Sequence, residues 1–162
     1  MIVLGSDVNE IIFNEKPNAV PYNYRISYKI AQLCIIMSEC CGRGGCSLYK
    51  LHMISMAMTS KKEKQKLEDF CNGKSSSYTV VRFDPAVNRA IKYALGDSIV
   101  TQQANGLFKL MEKGKRYVTL IKKDETIMIN EKDFLKKISC NLTEDKIQEL
   151  MKSWRYIDAT NS

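Results

Sequence analysis

The sequence contains a single histidine, His52, among its 162 residues. With no second histidine, the chain offers few imidazole groups for acid–base catalysis or for binding a metal ion. No serine lies in a nucleophile elbow, and the glycine cluster at 42–45 lacks the Gly-Lys-Ser/Thr ending of a phosphate-binding loop. The acidic residues are scattered, with no spacing that would pair carboxylates around a metal. The sequence therefore predicts a protein that is not an enzyme and that needs no cofactor.

Long apolar runs are also missing. The longest, Ile30 to Met37, is interrupted by Gln32 and is far shorter than the ~20 residues that a membrane-spanning helix needs. The first ten residues lack the basic region and the apolar segment of a secretory signal. We therefore expect a cytoplasmic protein that does not contact a membrane.

Cysteine is present but shows no regular framework: the six residues are Cys34, Cys40, Cys41, Cys46, Cys71 and Cys140. In a chain without an export signal, most such residues stay reduced and behave as small apolar side chains. A zinc site would have to recruit Cys46, His52, Cys71 and one of Cys40 or Cys41. That spacing matches no paired zinc motif, so we expect no metal.

What the chain does contain is the composition of one globular domain, with or without helical appendages. Hydrophobic residues make up 44% of it, charged residues 27%, and the formal net charge is +7. This charge permits contact with nucleic acid but does not require it. Four lysines on one charged segment are either a solvated helix face or a phosphate-binding stripe; they are Lys61, Lys62, Lys64 and Lys66.

The segment from Phe83 to Lys123 carries the clearest structural pattern. Asp84 before Pro85 predicts a helix start, because the carboxylate can cap free N–H groups and proline is tolerated at the first helical position. Gly96 is expected to supply the left-handed residue that ends this helix. Two short strands are predicted next, at Ile99–Gln103 and Leu107–Leu110, joined around an Asn-Gly turn.

This order of helix, strand, turn, strand and helix matches the second half of a winged helix-turn-helix, so the predicted fold class is mainly α (α+β). Helical spacing predicts further helices: one over Tyr24–Cys41, one capped by Ser47, one opening at Thr59 or Ser60, one over Glu112–Lys123, one with a capping box at Asn130 and Asp133, and one capped by Thr143. Tyr78–Phe83 predicts a strand, and residues 125–129 are either a short strand or a link.

The chain divides into three predicted parts. Residues 1–23 form an extended arm, because Pro17 and Pro21 forbid a regular helix there. Residues 24–129 form the winged-helix core, and residues 130–162 form a C-terminal helical extension.

In a winged helix, the helix before the hairpin usually enters the major groove and the hairpin touches the neighbouring backbone. The candidate nucleic-acid contacts are therefore Asn88, Arg89, Lys92, Gln102, Gln103, Lys109, Lys113 and Lys115. Only one arginine, Arg89, is expected to reach the groove, and the wing carries mainly glutamine. Few side chains are therefore available to read bases, and we do not expect sequence-specific binding. These residues are either weak, sequence-independent contacts to double-stranded DNA or the ordinary surface of a protein-binding winged helix.

Two apolar groups are candidates for docking a partner. Ile11, Ile12 and Phe13 lie in the predicted arm, where either the core or another subunit must cover them. Leu150, Met151 and Trp154 share one face of the last helix, and such a stripe is either core or a docking surface.

Three stretches together resemble a known family: SYKIAQLCIIMSECCGRGGCSLYKLHMISMAM, FDPAVNRAIKYALGDSIV and NGLFKLMEKGKRYVTLI. They are similar to the small middle component of bacterial three-component ABC systems, the group that includes the Lamassu anti-phage defence systems. The similar region covers about residues 24 to 154. Met111 departs from the pattern, since winged helices often carry a capping threonine there.

The resemblance implies a non-catalytic adaptor. Its partners would be an SMC-like or Rad50-like ABC ATPase subunit and an effector subunit, often a nuclease. The alternative is a stand-alone winged-helix regulator that binds DNA. A third hypothesis, an enzyme with a cysteine or metal site, has the least support from the residues.

Overall fold

The structure, a computed structural model, describes residues 25–76, 78 and 83–160. Within these residues the chain is mainly helical with one small antiparallel sheet, as predicted. The elements are α1 (Ile26–Cys40), α2 (Leu48–Ala57), α3 (Lys61–Cys71), α4 (Pro85–Gly96), β1 (Val100–Gln102), β2 (Phe108–Leu110), α5 (Glu112–Lys123), α6 (Ile129–Ile138) and α7 (Glu144–Thr160). The predicted arm, with Ile11, Ile12 and Phe13, and residues 79–82 of the predicted strand lie outside the described residues.

Side-chain caps begin four of the helices at the predicted positions. Ser47, Ser60, Asp84 and Thr143 each accept a hydrogen bond from a backbone N–H two or three residues further on, at 2.9 to 3.2 Å. Each bond satisfies one of the N–H groups that a helix start leaves unpaired. The predicted starts of α2, α3, α4 and α7 are therefore confirmed.

The predicted end of α4 is wrong in its detail. Gly96 is the last helical residue and does not adopt a positive φ; Ser98 does, at 57°. The N–H of Ile99 bonds to the carbonyl of Ala94 at 2.9 Å, and that of Ser98 bonds to the carbonyl of Leu95 at 3.3 Å. This is a Schellman arrangement in which serine occupies the position that glycine usually takes.

The predicted capping box at Asn130 is also wrong. Helix α6 begins at Ile129, and the residue before it, Met128, has a left-handed φ of 52° and no side-chain cap. Residues 125–129 contain no described strand. The Asp124 carboxylate accepts the N–H of Thr126 at 2.9 Å in a local turn, so residues 125–128 are a link and Ile129 already belongs to α6.

Helix α1 lies at the centre of the fold, as expected for a helix that is apolar on nearly every side. All residues from 28 to 37 are buried. Helices α2, α4, α5 and α6 and strand β2 all contact it. The C-terminal helices join the same core, because α6 packs on α1 and α3 while α7 packs on α2.

The hairpin is attached to the body through a short third segment. Strands β1 and β2 pair antiparallel, with Val100 opposite Leu110. Cys46 forms an isolated antiparallel bridge with Phe108, through two backbone hydrogen bonds of 2.8 Å. Gly45, at a φ of 99°, leaves no room for a Cβ because the Phe108 carbonyl oxygen would lie 2.8 Å away. The glycine turn after α1 is thus held against β2.

Candidate functional site

Helix α4 presents a polar outer face beside the hairpin. Its buried residues recur with helical spacing, namely Ala86, Val87, Ala90, Ile91 and Ala94. Asn88, Arg89, Lys92 and Tyr93 are exposed on the rest of its surface. The three predicted nucleic-acid residues of α4 therefore share one solvent-facing surface, because Lys92 lies four residues after Asn88 and three residues after Arg89.

These three residues differ in how free their side chains are. The side-chain amide oxygen Oδ1 of Asn88 lies 3.1 Å from Nε2 of His52. Arg89 and Lys92 form no ion pair or side-chain hydrogen bond within the described ranges. Two uncompensated positive charges thus remain on the outer face of α4 for an external anion.

His52 is a positioning residue for this helix. It is 1% exposed, and its Nδ1 accepts the backbone N–H of Asp84 at 3.2 Å. Because Nδ1 accepts, Nε2 carries the proton and donates it to Asn88. Burial lowers the pKa of His52, so the ring is neutral when both bonds are formed. Both ring nitrogens of the sole histidine are taken up in fixing α4 to α2.

A buried lysine continues the same network. Lys29 on α1 is 4% exposed and lies 3.5 Å from the Asp84 carboxylate. Its ammonium also contacts the hydroxyl of Ser55 at 3.2 Å, and that hydroxyl donates to Gln32 at 2.8 Å. Burial lowers the pKa of Lys29, and the Asp84 charge opposes this shift. The network joins α1, α2 and the start of α4, a role that the sequence reasoning missed.

The predicted wing residues are mostly engaged within the chain. The Gln102 amide donates to the carbonyl of Gly106 at 3.2 Å, and the Gln103 amide donates to that of Gly44 at 2.9 Å. Lys109 is exposed and forms no ion pair in the described part of the chain. Of the wing's three predicted contacts, Lys109 alone therefore has no side-chain hydrogen bond or ion pair within the described part of the chain.

The two predicted lysines of α5 are paired with carboxylates. Lys113 bonds to Asp97 at 3.0 Å, which ties α5 to the loop after α4. Lys115 bonds to Glu112 at 3.0 Å on the same helix. Both pairs are partly or largely exposed, so each contributes little to stability.

The contacts of the four lysines on helix α3 decide in part whether they form a solvated face or a phosphate-binding stripe. Lys66 pairs with Glu63 at 3.0 Å, and the Lys64 ammonium lies 5.8 Å from the centre of the Phe134 ring. Lys61 and Lys62 are exposed. Two of the four lysines are therefore engaged on the body of the protein, which weakens the case for a continuous phosphate-binding stripe.

The predicted docking face of α7 is largely occupied by the protein itself. Leu150 is buried in the core, while Met151 and Trp154 are partly buried and pack against it. Met151 and Trp154 still offer some surface to a partner, but Leu150 does not.

The structure reveals two features that the sequence reasoning missed. Phe83, just before α4, is 49% exposed and packs edge-on against His52, with ring centres 4.7 Å apart. Separately, helices α1, α5 and α6 border an open cavity of about 290 Å³ lined by Ile35, Glu39, Lys122, Lys132, Leu135 and Lys136. The only sequence signal for the cavity was the pair of lysines near the end of each of α5 and α6.

The cysteines are free thiols, and four of them are buried: Cys34, Cys40, Cys46 and Cys71. Burial raises the pKa of Cys34 to about 12 and that of Cys71 to about 11, which disfavours the reactive thiolate. Among the described residues, no three His, Cys, Asp or Glu side chains are placed to share a metal ion. Nor does that part of the chain contain a helix with the length and apolarity to cross a membrane.

Comparison of the chain with protein-family models, with curated proteins and with solved structures gave no match. Function therefore has to be inferred from the placement of the chain's own side chains. The outer face of α4 with the adjoining hairpin is the region where predicted contact residues and uncommitted charges coincide.

Proposed function

We propose that this chain is a winged-helix adaptor subunit of a bacterial anti-phage defence complex in the cytoplasm. It would link an SMC-like or Rad50-like ABC ATPase to an effector subunit, often a nuclease, without catalysing a reaction itself. The observation that carries the proposal is the unit formed by α4, the hairpin and the Cys46 bridge. In winged helices this unit meets macromolecular partners.

The order of elements supports the winged-helix part of the proposal. Helix α1 leads to the Cys46 bridge, α2 and α3 follow, and α4 leads into the two-stranded hairpin. The bridge adds a third short segment next to β2, and the turn at Gly106, with a φ of 84°, forms the tip. This order of elements, with a two-stranded sheet and one isolated bridge beside it, supports the proposal of a winged helix.

The distribution of charge favours an adaptor over a sequence-reading protein. Arg89, Lys92 and Lys109 are the predicted contact cations that carry no ion pair within the described ranges. Exposed lysines pair mainly with phosphates, whereas the strongest discrimination between bases comes from side chains that form two hydrogen bonds to one base edge, such as arginine or a free amide. The amides of Gln102 and Gln103 are already donating within the chain. We therefore infer at most weak, sequence-independent contact with DNA.

One observation favours the alternative of a stand-alone DNA-binding regulator. Arg89 is exposed on α4 and uncommitted within the described part of the chain, and an arginine there can contact guanine through two hydrogen bonds. A gel shift at near-physiological salt separates the two functions. A regulator forms a tight complex that depends on DNA sequence and is lost in Arg89→Ala. An adaptor gives a weak complex that added salt removes. Arg155→Ala, an exposed arginine on α7, serves as the control with the same change in charge.

Partner capture tests the adaptor function itself. The tagged chain is co-expressed with the products of its neighbouring genes and purified at moderate salt. The proposal predicts that an ATPase subunit and an effector subunit co-purify in fixed proportion. Recovery of the tagged chain alone, in a strain that also produces an adjacent coiled-coil ATPase, would contradict it.

A further inference from the structure

The glycine turn that joins the central helix to the hairpin has a cysteine at each end. Cys41 directly follows the last residue of α1 and has extended backbone angles, with φ −112° and ψ 131°. The N–H of Gly45 then bonds to the carbonyl of Gly42 at 3.2 Å, which closes a β-turn. After the turn, Cys46 pairs with Phe108 of β2 through two backbone hydrogen bonds of 2.8 Å.

This hydrogen-bond pattern sets Cys41 opposite Cys46. Residues that flank a closed β-turn face each other as a non-hydrogen-bonded antiparallel pair, in which the Cα atoms are typically about 4.5 Å apart. The N–H and carbonyl of Cys46 bond to Phe108, on the side away from Cys41, as such a pair requires. A disulfide needs Cα atoms roughly 4.4 to 6.8 Å apart. The backbone around the turn is therefore already arranged so that a disulfide can close it.

The two thiols are also neighbours in space. Burial raises the pKa of Cys46, the Cys41 thiol adds to this shift, and the positive charge of Lys50 opposes it. A thiol can affect the pKa of another only at short range, so the two sulfur atoms lie close together. The adjacent Cys40 points elsewhere, because its thiol donates to the carbonyl of Leu135 on α6 at 3.8 Å.

The two cysteines differ in their access to solvent. Cys41 is half-buried, whereas Cys46 is 0% exposed. An oxidant in solution therefore reaches Cys41 first, while Cys46 stays a protected thiol beside it. This is the arrangement of a reacting cysteine next to a resolving one.

We propose that Cys41 and Cys46 form a reversible disulfide when the protein meets a peroxide. The bond fixes the glycine turn between the end of α1 and β2, and so restricts the movement of the hairpin. In a reducing compartment such a disulfide is transient and serves redox sensing. This regulation is additional to the proposed adaptor function and does not depend on it.

The oxidation balances with hydrogen peroxide as the oxidant. The Cys41 thiolate, having released its proton to solvent, attacks one peroxide oxygen and the O–O bond breaks. This step leaves a sulfenic acid on Cys41 and a hydroxide that takes up the proton to become water. The Cys46 sulfur then attacks Sγ of Cys41, the S–O bond breaks, and the departing hydroxide leaves as water with the Cys46 proton. Two thiols are oxidised, and one peroxide is reduced to two waters.

Peptide mapping of the full chain tests the pair directly. The chain is treated with hydrogen peroxide, its remaining thiols are blocked with N-ethylmaleimide, and trypsin then cuts after Arg43, between the two cysteines. The expected product is peptide 30–43 joined to peptide 44–50, lighter than the two separate peptides by about 2 Da. Fragment ions should place the bond at Cys41, and a dithiol reductant should separate the peptides.

Two serine variants provide the matched comparison. Cys41→Ser removes the proposed reacting thiol, and Cys140→Ser removes the exposed thiol, whose Sγ lies 3.8 Å from the carbonyl of Glu39. Circular dichroism verifies that both fold like the wild type. The linked peptide should be absent from Cys41→Ser and undiminished in Cys140→Ser. Absence of the linked peptide from the wild type, its persistence in Cys41→Ser, or a bond to Cys140 as the main product would overturn the proposal.

Amide hydrogen exchange measures the effect on the hairpin. The N–H groups of Cys46 and Phe108 form the two hydrogen bonds of the bridge. Their exchange in the full chain should slow by at least about threefold on oxidation, because opening of the bridge is restricted. Exchange in Cys41→Ser should not respond to peroxide. Equal exchange rates in the oxidised and reduced wild type would show that the disulfide does not fix the hairpin, and would also overturn the proposal.

Discussion

At the scale of single residues, helix α5 has no side-chain cap at its start, unlike α2, α3, α4 and α7. Met111 occupies the cap position with extended backbone angles, and its side chain accepts no hydrogen bond. It is also 41% exposed, so little packing is lost if it is replaced. Met111→Thr should raise the free energy of unfolding by about 1 kcal/mol, because a threonine hydroxyl can accept a free N–H of the first turn.

Urea unfolding of the wild type and of Met111→Thr measures this gain. Met111→Ala is the matched control, since alanine removes the same side chain without supplying an acceptor. It should show no gain. Equal stabilisation by alanine and threonine would mean that removal of the exposed methionine, and not capping, is the cause.

His52 gives the protein a predictable response to acid. Burial holds its pKa below the ordinary value of 6.5, so the unfolded chain binds the proton more readily than the folded one. The His52 contribution to stability is therefore complete above about pH 6.5 and is lost as the pH falls through the lower folded-state pKa. Protonation of Nδ1 also removes the acceptor of the Asp84 N–H.

Urea unfolding at pH 7.5, 6.5 and 5.5 tests this response. The wild type should lose stability across the interval, and His52→Gln should show a flatter profile from a lower starting value. A wild-type profile that is flat, or one that the variant reproduces in full, would contradict the assignment of the acid response to His52.

At the scale of elements, the contact between α5 and the hairpin depends on Gly114. This glycine is buried in α5, and a Cβ there would overlap the carbonyl oxygen of Ile99 and would lie 2.8 Å from Cδ2 of Leu110. In an exposed helix interior, alanine is more favourable than glycine by about 1 kcal/mol. Overpacking of a buried site, however, costs about 1 to 3 kcal/mol. Because backbone cannot move aside like a flexible side chain, we expect Gly114→Ala to destabilise the protein by about 1 kcal/mol or more.

Thermal or urea unfolding checks this, with Lys115→Ala as the control one residue away. Lys115 is exposed, so its replacement should change the unfolding free energy by less than about 0.5 kcal/mol. A Gly114→Ala variant at least as stable as the wild type would show that α5 can shift away from β1 at no cost.

How well the sequence predicted an element depended on whether local chemistry decides it. The bounds of α5 match the prediction of Glu112–Lys123, and the start of α4 follows from Asp84 and Pro85. Helix α4 does end at Gly96, but the left-handed residue is Ser98, two positions later, where the Ile99 N–H pairs with Ala94. Packing of Ile99 into the core decides that position, and such packing is not visible in a local pattern.

The candidate site was predictable in outline for the same reason. Helical spacing correctly left Asn88, Arg89 and Lys92 on the exposed side of α4. Gln103 bonds to Gly44, and Lys113 pairs with Asp97. Both partners lie in loops outside the hairpin and α5, so residue spacing could not show that these two side chains are engaged. The lysine-rimmed cavity is formed by three separate helices, so its position could not be read from any one segment of the sequence.

At the scale of the whole molecule, the few uncommitted cations of the α4–hairpin surface limit the affinity of that surface for DNA. Neutralising Arg89, Lys92 and Lys109 releases counterions from about three phosphates, so the logarithm of the binding constant should fall with log salt at a slope of about −3 or shallower. Fluorescence anisotropy with a labelled duplex at several salt concentrations measures the slope. Arg89→Ala should reduce its magnitude by about 1, and Arg155→Ala should leave it unchanged. A slope steeper than about −6 would require a basic surface other than the outer face of α4 and the hairpin.

The surfaces of the molecule are also where its function as a link has to be tested. In the proposed function, the chain contacts two subunits at once. This arrangement predicts that the ATPase and the effector associate through the chain and not directly.

The most direct measurement is a pull-down on the tagged ATPase subunit from cells that express the effector, with and without this chain. The account predicts that the effector is recovered when the chain is present and is lost when its gene is deleted. Recovery of the effector in equal amount without the chain would contradict the role of a linking adaptor.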